Sequence, residues 1–366
     1  MQIQALEQRA RQADRYEAVL DRARRQCIPV TMLWELTCRC NLRCAHCYVS
    51  RGAAEAELDT REALTVLDQL AEAGTLYLIL SGGEPLLRDD FFTIAEAARQ
   101  REFAVRIFTN GTKVNEEAAG RIADLAPLSV EVSLYGHRAA THDAISGVPG
   151  SHQQAIRALE LLRERGVYTV AKTTVMRSNL AEFDQMRDWA EQHADRFLYN
   201  LLVMPGRDGD GGPLATRLTR DELRQFYDGR IGAWEPDTPE VPLDASLCLA
   251  GFSIGAIGPS GTVYPCVALP LAAGELRQES FASIWNNSPI LTKIRRLTLA
   301  DTVCRTCEDL GICSRCPALA LLEDGELVGR AHGACAVAEA KREALDYSRK
   351  DEGIAGDVPK EHRDEI

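Results

Sequence analysis

Cys38, Cys40, Cys44 and Cys47 fall within ten residues, in the stretch ELTCRCNLRCAHCYVS. Four thiols this close can build a zinc site, an iron–sulfur site or a redox pair. The run Cys40-Asn-Leu-Arg-Cys44-Ala-His-Cys47-Tyr48 narrows the choice. Three thiolates spaced in this way on one short loop can bind three corners of a cubane 4Fe–4S cluster and leave its fourth iron open to a small ligand. A structural zinc ion asks for four ligands in a closed tetrahedron. His46 is a conceivable fourth ligand, but it lies inside the last spacer, where it would strain such a site. The spacing favours iron and sulfur. Cys38 stands at the end of an apolar run and reads as a packed strand residue, with a place in the active site as the alternative.

Seven further cysteines follow late in the chain: Cys248, Cys266, Cys304, Cys307, Cys313, Cys316 and Cys335. Zinc ribbons are one reading of that set. A twelfth, Cys27, stands apart; it reads as a buried structural thiol rather than a hydrogen donor. The other chemical motif is Leu80-Ser81-Gly82-Gly83-Glu84-Pro85. By itself it is a turn. Beside a metal loop its glycines would expose backbone carbonyls, and Glu84 would turn a negative charge toward an ammonium. Weaker candidates end other apolar runs: Thr109-Asn110-Gly111, Ser133, and Lys172 with Thr174. Val203 or Met204 reads as core, with packing on a ligand as the alternative.

The elements that would position these residues alternate from residue 30 onward. Apolar runs at Val30–Leu36, Leu76–Leu80, Ala104–Phe108, Leu128–Leu134, Val167–Val175 and Phe197–Val203 predict strands buried on both faces. Asp59 to Glu62 has capping-box spacing ahead of a helix, with Gly74 as its stop. Ser151 and Asn179 are expected to open two more helices in the same way. Six βα units predict an α/β fold, a parallel sheet closed into a partial (β/α)6 TIM-type barrel with its chemistry at the C-terminal strand ends. The cysteine loop follows the first strand and so belongs on that rim. A helix is expected over residues 2–26.

Beyond residue 205 the texture changes to Gly/Asp-rich and Pro-rich connections. The cysteine-rich region there reads as a small domain stapled by metal rather than by a large core. The expected division is residues 1–29 (helix), 30–235 (partial barrel), 236–340 (cysteine-rich domain) and 341–366 (a charged tail, helical at first).

The chain has 366 residues and a formal net charge of −12. That charge excludes a nonspecific nucleic-acid binder. No membrane-spanning run or secretory signal is evident, so a soluble cytoplasmic protein is expected. In a reducing compartment, twelve cysteines point to metal or redox chemistry rather than disulfides.

The Cys40–Cys44–Cys47–Tyr48 motif and the Gly82–Glu84 segment together resemble the radical S-adenosylmethionine (SAM) enzymes over roughly residues 30–205. The resemblance implies that the three cysteines bind a cluster whose open iron is chelated by SAM. It also implies that Tyr48 lies near the adenine, that Gly82, Gly83 and Glu84 bind the SAM amine, and that Ser133 reaches the SAM ribose or carboxylate; Asn110 is a further candidate for that pocket, with a turn former as the alternative. The late cysteines resemble the SPASM extension, although the spacing between Cys313 and Cys316 is one residue shorter than the usual pattern. That likeness implies two auxiliary 4Fe–4S clusters, and three in all. Cys304, Cys307, Cys313 and Cys335 would hold the outer one; Cys248, Cys266 and Cys316 would hold the inner one, which lacks an evident fourth thiolate.

The implied chemistry is reductive cleavage of SAM to a 5′-deoxyadenosyl radical, which abstracts hydrogen from a substrate. SPASM enzymes most often modify peptides. The expectation is therefore a maturase of a ribosomally made peptide that installs a thioether or carbon–carbon crosslink, with epimerisation next. Formylglycine formation is disfavoured by Val267–Pro270 after Cys266. A radical dehydrogenase or epimerase of a small molecule such as an aminoglycoside, and a non-catalytic iron–sulfur protein, are the alternatives. Expected partners are a peptide with a leader and an electron donor such as flavodoxin or ferredoxin. Only about 30 residues precede the first strand, short of the roughly 80 of a small leader-binding domain. The leader would then sit on the enzyme surface or on a separate leader-binding protein. No residue is singled out as a catalytic hydrogen donor or base.

Overall fold

The computed structural model describes residues 17–49, 56–228, 230 and 241–354, the last eight by their backbone alone. Helix α1 covers residues 17–25; the rest of the expected N-terminal helix lies outside the described residues, as does most of the Pro-rich connection. Strands β1 (Thr31–Glu35), β2 (Tyr77–Ser81), β3 (Ala104–Thr109), β4 (Ser129–Ser133), β5 (Thr169–Thr174) and β6 (Arg196–Asn200) are parallel neighbours in chain order. Between them run α2 (Thr60–Glu72), α3 (Phe91–Gln100), α4 (Glu116–Asp124), α5 (Ala139–Ser146), α6 (Ser151–Glu164) and α7 (Phe183–His193). This is the α/β, barrel-like arrangement that the alternation implies.

The local reasons are legible for some elements. Asp59 and Glu62 form the reciprocal capping box of α2, and Gly74 follows at φ +88°. Two other expected caps are not formed. Gly150, not a side chain, precedes α6. The Ser151 hydroxyl bonds to Asp143, which also accepts the backbone N–H groups of Gly150 and His152. Asn179 turns inward, where its amide donates to the carbonyls of Tyr135 and Thr174 and its oxygen accepts from Met176 N.

Burial on both faces holds for β4 but not for β1, β2 or β3, where buried and half-buried residues alternate. Met32 and Trp34 pack outward under the helices, whereas Leu33 and Phe108 line an internal cavity. An incompletely closed barrel leaves its inner face to line a cavity, which restores the period-two pattern.

The cysteine-rich region is not held by metal alone. Strand β7 (Ile254–Ile257) pairs in parallel with β1, and β8 (Thr262–Tyr264) and β9 (Gly274–Glu275) extend the sheet antiparallel, giving nine strands. Ile257, Val263, Phe281, Ile284 and Trp285 belong to the same apolar core as Met32 and Trp34. Burying side chains of this kind contributes about 1.5–3 kcal/mol each. The Trp285 indole also donates to the Cys27 carbonyl at 2.5 Å. Helices α8 (Arg220–Tyr227), α9 (Phe281–Asn287), α10 (Pro289–Arg296), α11 (Pro317–Asp324) and α12 (His332–Ile354) complete the described elements. Through Ala340, α12 joins the cluster of Phe183, Leu223 and Phe226 on the barrel. It also carries the helix past residue 341. No described helix is long and apolar enough to cross a membrane.

Candidate functional site

The loop after β1 is clamped from two sides. On one side Leu36 N donates to Ser81 O (2.9 Å), Gly83 N to Thr37 O (2.7 Å) and Glu84 N to Arg39 O (2.8 Å). On the other, Arg43 N and Ala45 N donate to the carbonyls of Ser146 and Ile145 at the end of α5. The glycines make the first clamp possible. Gly82 has φ +145°, and a Cβ on Gly83 would lie 2.3 Å from the Arg39 carbonyl oxygen. Their role is close approach of two backbones, in addition to whatever carbonyls they present.

This clamping brings Cys40, Cys44 and Cys47 to the rim of a cavity of about 440 Å³, which Gly82, Gly83, Asn110 and Ser133 also line. Burial pushes the Cys40 thiol upward, with Glu84 and Cys47 adding to the shift; Leu42 N (3.4 Å) and the Asn110 amide (3.8 Å) bond its sulfur and oppose it. Asn110 also donates to Asn41 Oδ1 at 3.0 Å, so it braces the cysteine loop as well as lining the cavity. All three thiols act on the buried Tyr135 hydroxyl, which bonds to Ser133 and is raised well above its ordinary value, by burial first. Thr109, Lys172, Thr174, Val203 and Met204 also line the cavity.

Two expectations change. Glu84 is fully buried and does not line the cavity. Its carboxylate accepts from the Thr109 hydroxyl and Asn110 N, both at 2.7 Å, and from Leu86 N at 3.2 Å. Burial raises it to about 7 despite these bonds. It locks the β2 loop to the end of β3 rather than offering an open carboxylate to an ammonium. Cys38 lies beyond β1, not at its end, and lines the cavity. Cys27, by contrast, precedes β1 and so lies at the opposite end of the strand from the rim.

Tyr48 lines the cavity, and its hydroxyl bonds to Glu35, the last residue of β1. Burial raises Glu35 against the opposing pull of Arg207, which it meets at 2.7 Å. Arg207 also reaches the Val267 carbonyl at 3.4 Å, next to Cys266. Glu35, Arg207, Glu131 and Tyr135 stand in no motif that marks them as site residues, and His46 enters the sequence reading only as a conceivable zinc ligand. Charges inside apolar strand runs, TMLWE and SVEVS, were the available signal. Glu131 is buried, bonds Lys172 Nζ at 3.1 Å and lies 3.9 Å from Arg106. The Lys172 ammonium stands 4.0 Å over the Phe108 ring. His46 packs edge-on against Tyr135, with ring centroids 4.6 Å apart, and burial lowers it to about 4. A neutral, ring-packed imidazole suits a wall of the cavity.

The late cysteines lie in two neighbourhoods. Cys304, Cys307, Cys313 and Cys335 line a second cavity of about 460 Å³. Burial pushes Cys313 up to about 12, with Cys335, Cys304 and Cys307 adding to the shift. Cys248 is pushed up to about 11 by burial, then by Cys266 and Cys316. No disulfide joins the described cysteines. Among the described residues no three His, Cys, Asp or Glu side chains gather as a single metal ion would require. The donor chemistry fits iron–sulfur clusters: grouped thiols, none in a disulfide, whose protons are the natural exchange for metal.

Comparison with known proteins agrees with this geometry. Residues 34–190 match the radical SAM superfamily, and residues 248–317 match the SPASM iron–sulfur cluster-binding domain. The chain is similar to the AdoMet-dependent heme synthase of Methanosarcina barkeri, with 30% identity over 330 residues covering 81% of this chain and 94% of the relative. It is also similar to the mycofactocin maturase MftC of Mycobacterium tuberculosis strain H37Rv, with 31% identity over 304 residues covering 78% and 77%. Among solved structures it resembles Streptococcus suis SuiB bound to S-adenosylmethionine (TM-score 0.65, 18% identity, 84% of this chain and 77% of that one). It also resembles native anSMEcpe with bound AdoMet (TM-score 0.69, 15% identity, 90% and 100%). At these identities the structural matches speak for the fold.

Proposed function

The chain belongs to the radical SAM superfamily and carries an SPASM domain, and from that premise we propose that it matures a ribosomally made peptide. When bound, SAM and the clusters supply reductive cleavage, hydrogen-atom abstraction and a route for the electron left on the substrate. Cys40, Cys44 and Cys47 hold the SAM-binding cluster. Cys304, Cys307, Cys313 and Cys335 hold the outer auxiliary cluster, and Cys248, Cys266 and Cys316 hold the inner one. Tyr48, Gly82, Gly83, Asn110 and Ser133 shape the cofactor pocket, with Glu84 fixing the β2 loop from behind. The domain division between residues 235 and 236, which lies outside the described residues, stands as part of this proposal.

The observation that carries the peptide reading is the charge balance of the cavity. Among the described residues that line it, Lys172 is the only Lys or Arg, and Glu131 neutralises it. A heme-like substrate with several carboxylates finds no spare cation there. An aminoglycoside finds no spare carboxylate, because Glu131 is held by Lys172 with Arg106 close by. An uncharged side chain of a peptide fits the remaining surface of Leu33, Phe108, Leu202 and Met204. SuiB has been solved bound to its precursor peptide SuiA, and anSMEcpe with a peptide; both share this fold. The favoured product is a crosslink, which removes two hydrogens from the peptide, and epimerisation is next. The leader binds on the enzyme surface or a separate protein, and a small reduced flavodoxin or ferredoxin supplies electrons.

The test is to incubate the reconstituted, reduced protein and SAM with short peptides encoded beside its gene. A peptide lighter by two hydrogens supports crosslinking. Exchange of a solvent-derived hydrogen into an unchanged mass supports epimerisation. Conversion of an acidic tetrapyrrole or an aminoglycoside, with no peptide altered, overturns the peptide reading.

A further inference from the structure

The outer cysteine cavity contains a cation that the cysteine pattern does not explain. Arg315 lies between Cys313 and Cys316 and lines the cavity with Cys304, Cys307, Cys313 and Cys335. Its Nη2 is anchored on two carbonyls, Leu327 O at 2.7 Å and Gly329 O at 3.0 Å. Its Nε and Nη1 are buried and have no hydrogen-bond partner. Such donors are costly to leave unmet. Nor does an acid neutralise the guanidinium among the described residues. The nearby Asp309 is engaged by Arg342 at 2.6 Å, and Glu308 also faces Arg342, at 3.7 Å. Of the two other arginines that line the cavity, Arg330 is exposed and Arg342 is held by Asp309. Arg315 is thus a permanently charged fork at the cavity wall, with one nitrogen anchored and two donors without a partner in the described structure.

We propose that Arg315 is a positioning residue for the outer auxiliary cluster. Its Nε and Nη1 donate to the sulfur of that cluster, and its charge offsets the negative charge of a four-thiolate centre. Hydrogen bonds to sulfur and net charge are the protein's levers on the potential of such a centre. Both act here in the same direction, favouring the reduced form. On reduction one electron enters the cluster, no covalent bond forms or breaks, and the guanidinium keeps its proton. Arg315 also acts electrostatically on the inner thiol Cys248, so the inner centre should feel its removal as well. This rests on the reading that Cys304, Cys307, Cys313 and Cys335 hold a cluster, and the experiment separates the two claims.

Anaerobically reconstituted wild type, Arg315→Gln and Arg315→Lys are analysed for iron and titrated with dithionite, followed by electron paramagnetic resonance. At a fixed ambient potential, the reduced-to-oxidised ratio of one auxiliary signal should fall about tenfold in Arg315→Gln, which for one electron is 59 mV. Arg315→Lys should fall less, because it keeps the charge and loses the fork. In wild type labelled with ¹⁵N-arginine, the reduced auxiliary signal should show nitrogen coupling. Unchanged ratios with full iron content overturn the proposal. If the variants lose iron, absence of nitrogen coupling in labelled wild type overturns it. If wild type itself binds only about eight irons and lacks one auxiliary signal, the cluster reading fails and this inference falls with it.

Discussion

Cys38 and Cys44 are both cavity-lining thiols on one loop, yet they should behave differently when removed. Cys44→Ala should cost the SAM-binding cluster, about four irons per chain. Cys38→Ala should leave iron content at the wild-type level, which metal analysis after anaerobic reconstitution will show. A second residue, His142, gives the molecule a pH signature. Its Nδ1 accepts from Tyr135 N at 3.1 Å, and burial, then His152, lowers it from 6.5 to about 4. The unfolded chain takes up this proton near pH 6.5, whereas the folded one resists it until about pH 4. The stability it contributes is therefore complete above pH 6.5 and lost as the pH falls toward 4, up to about 3 kcal/mol. Thermal melts across that range should show a shallower acid slope for His142→Asn than for wild type; parallel slopes would contradict the assignment. At this scale the gathering of Cys40, Cys44 and Cys47 at one cavity was legible because their spacing is short and local. Glu84 was legible as a motif but not in its role, because the bonds that occupy its carboxylate come from β3, twenty-five residues away.

The elements explain why the glycine pair cannot vary. The loops after β1 and β2 touch backbone to backbone, and Gly83→Ala would place a methyl group 2.3 Å from the Arg39 carbonyl oxygen. The loops must part, at a cost of about 1–3 kcal/mol. Iron at the first site should fall while the auxiliary iron stays, as electron paramagnetic resonance of the separate centres will report. The six parallel strands were readable from apolar runs and their spacing to within a residue or two at most ends. The failed helix caps at Ser151 and Asn179 mark the limit of such reading. Both side chains have the right type at the right place, but Asp143 and the carbonyls of Tyr135 and Thr174 compete for them.

Across the whole molecule, the barrel and the cysteine-rich region share a sheet and a core, and one buried ion pair fastens them near the site. Arg207 joins Glu35 of β1 to the Val267 carbonyl beside Cys266. Arg207→Met would strand the Glu35 carboxylate in the interior and should destabilise the protein by about 3–5 kcal/mol. Denaturant unfolding under anaerobic conditions measures this, and adding Glu35→Gln should recover part of the loss. The continuity of β1 with β7 was not legible, because a four-residue strand in a Gly-rich segment carries little periodic signal of its own. The same continuity sets Tyr48 between the first cysteine loop and Cys266, both of which act on its hydroxyl. On the function proposed above, this rim, with Cys40, Cys44 and Cys47 as cluster ligands, cleaves SAM for hydrogen abstraction. The most direct measurement is 5′-deoxyadenosine released by the reconstituted protein given SAM and dithionite. Wild type should form it and Cys44→Ala should not; no 5′-deoxyadenosine from wild type with the first cluster intact and reduced would contradict SAM cleavage at this rim.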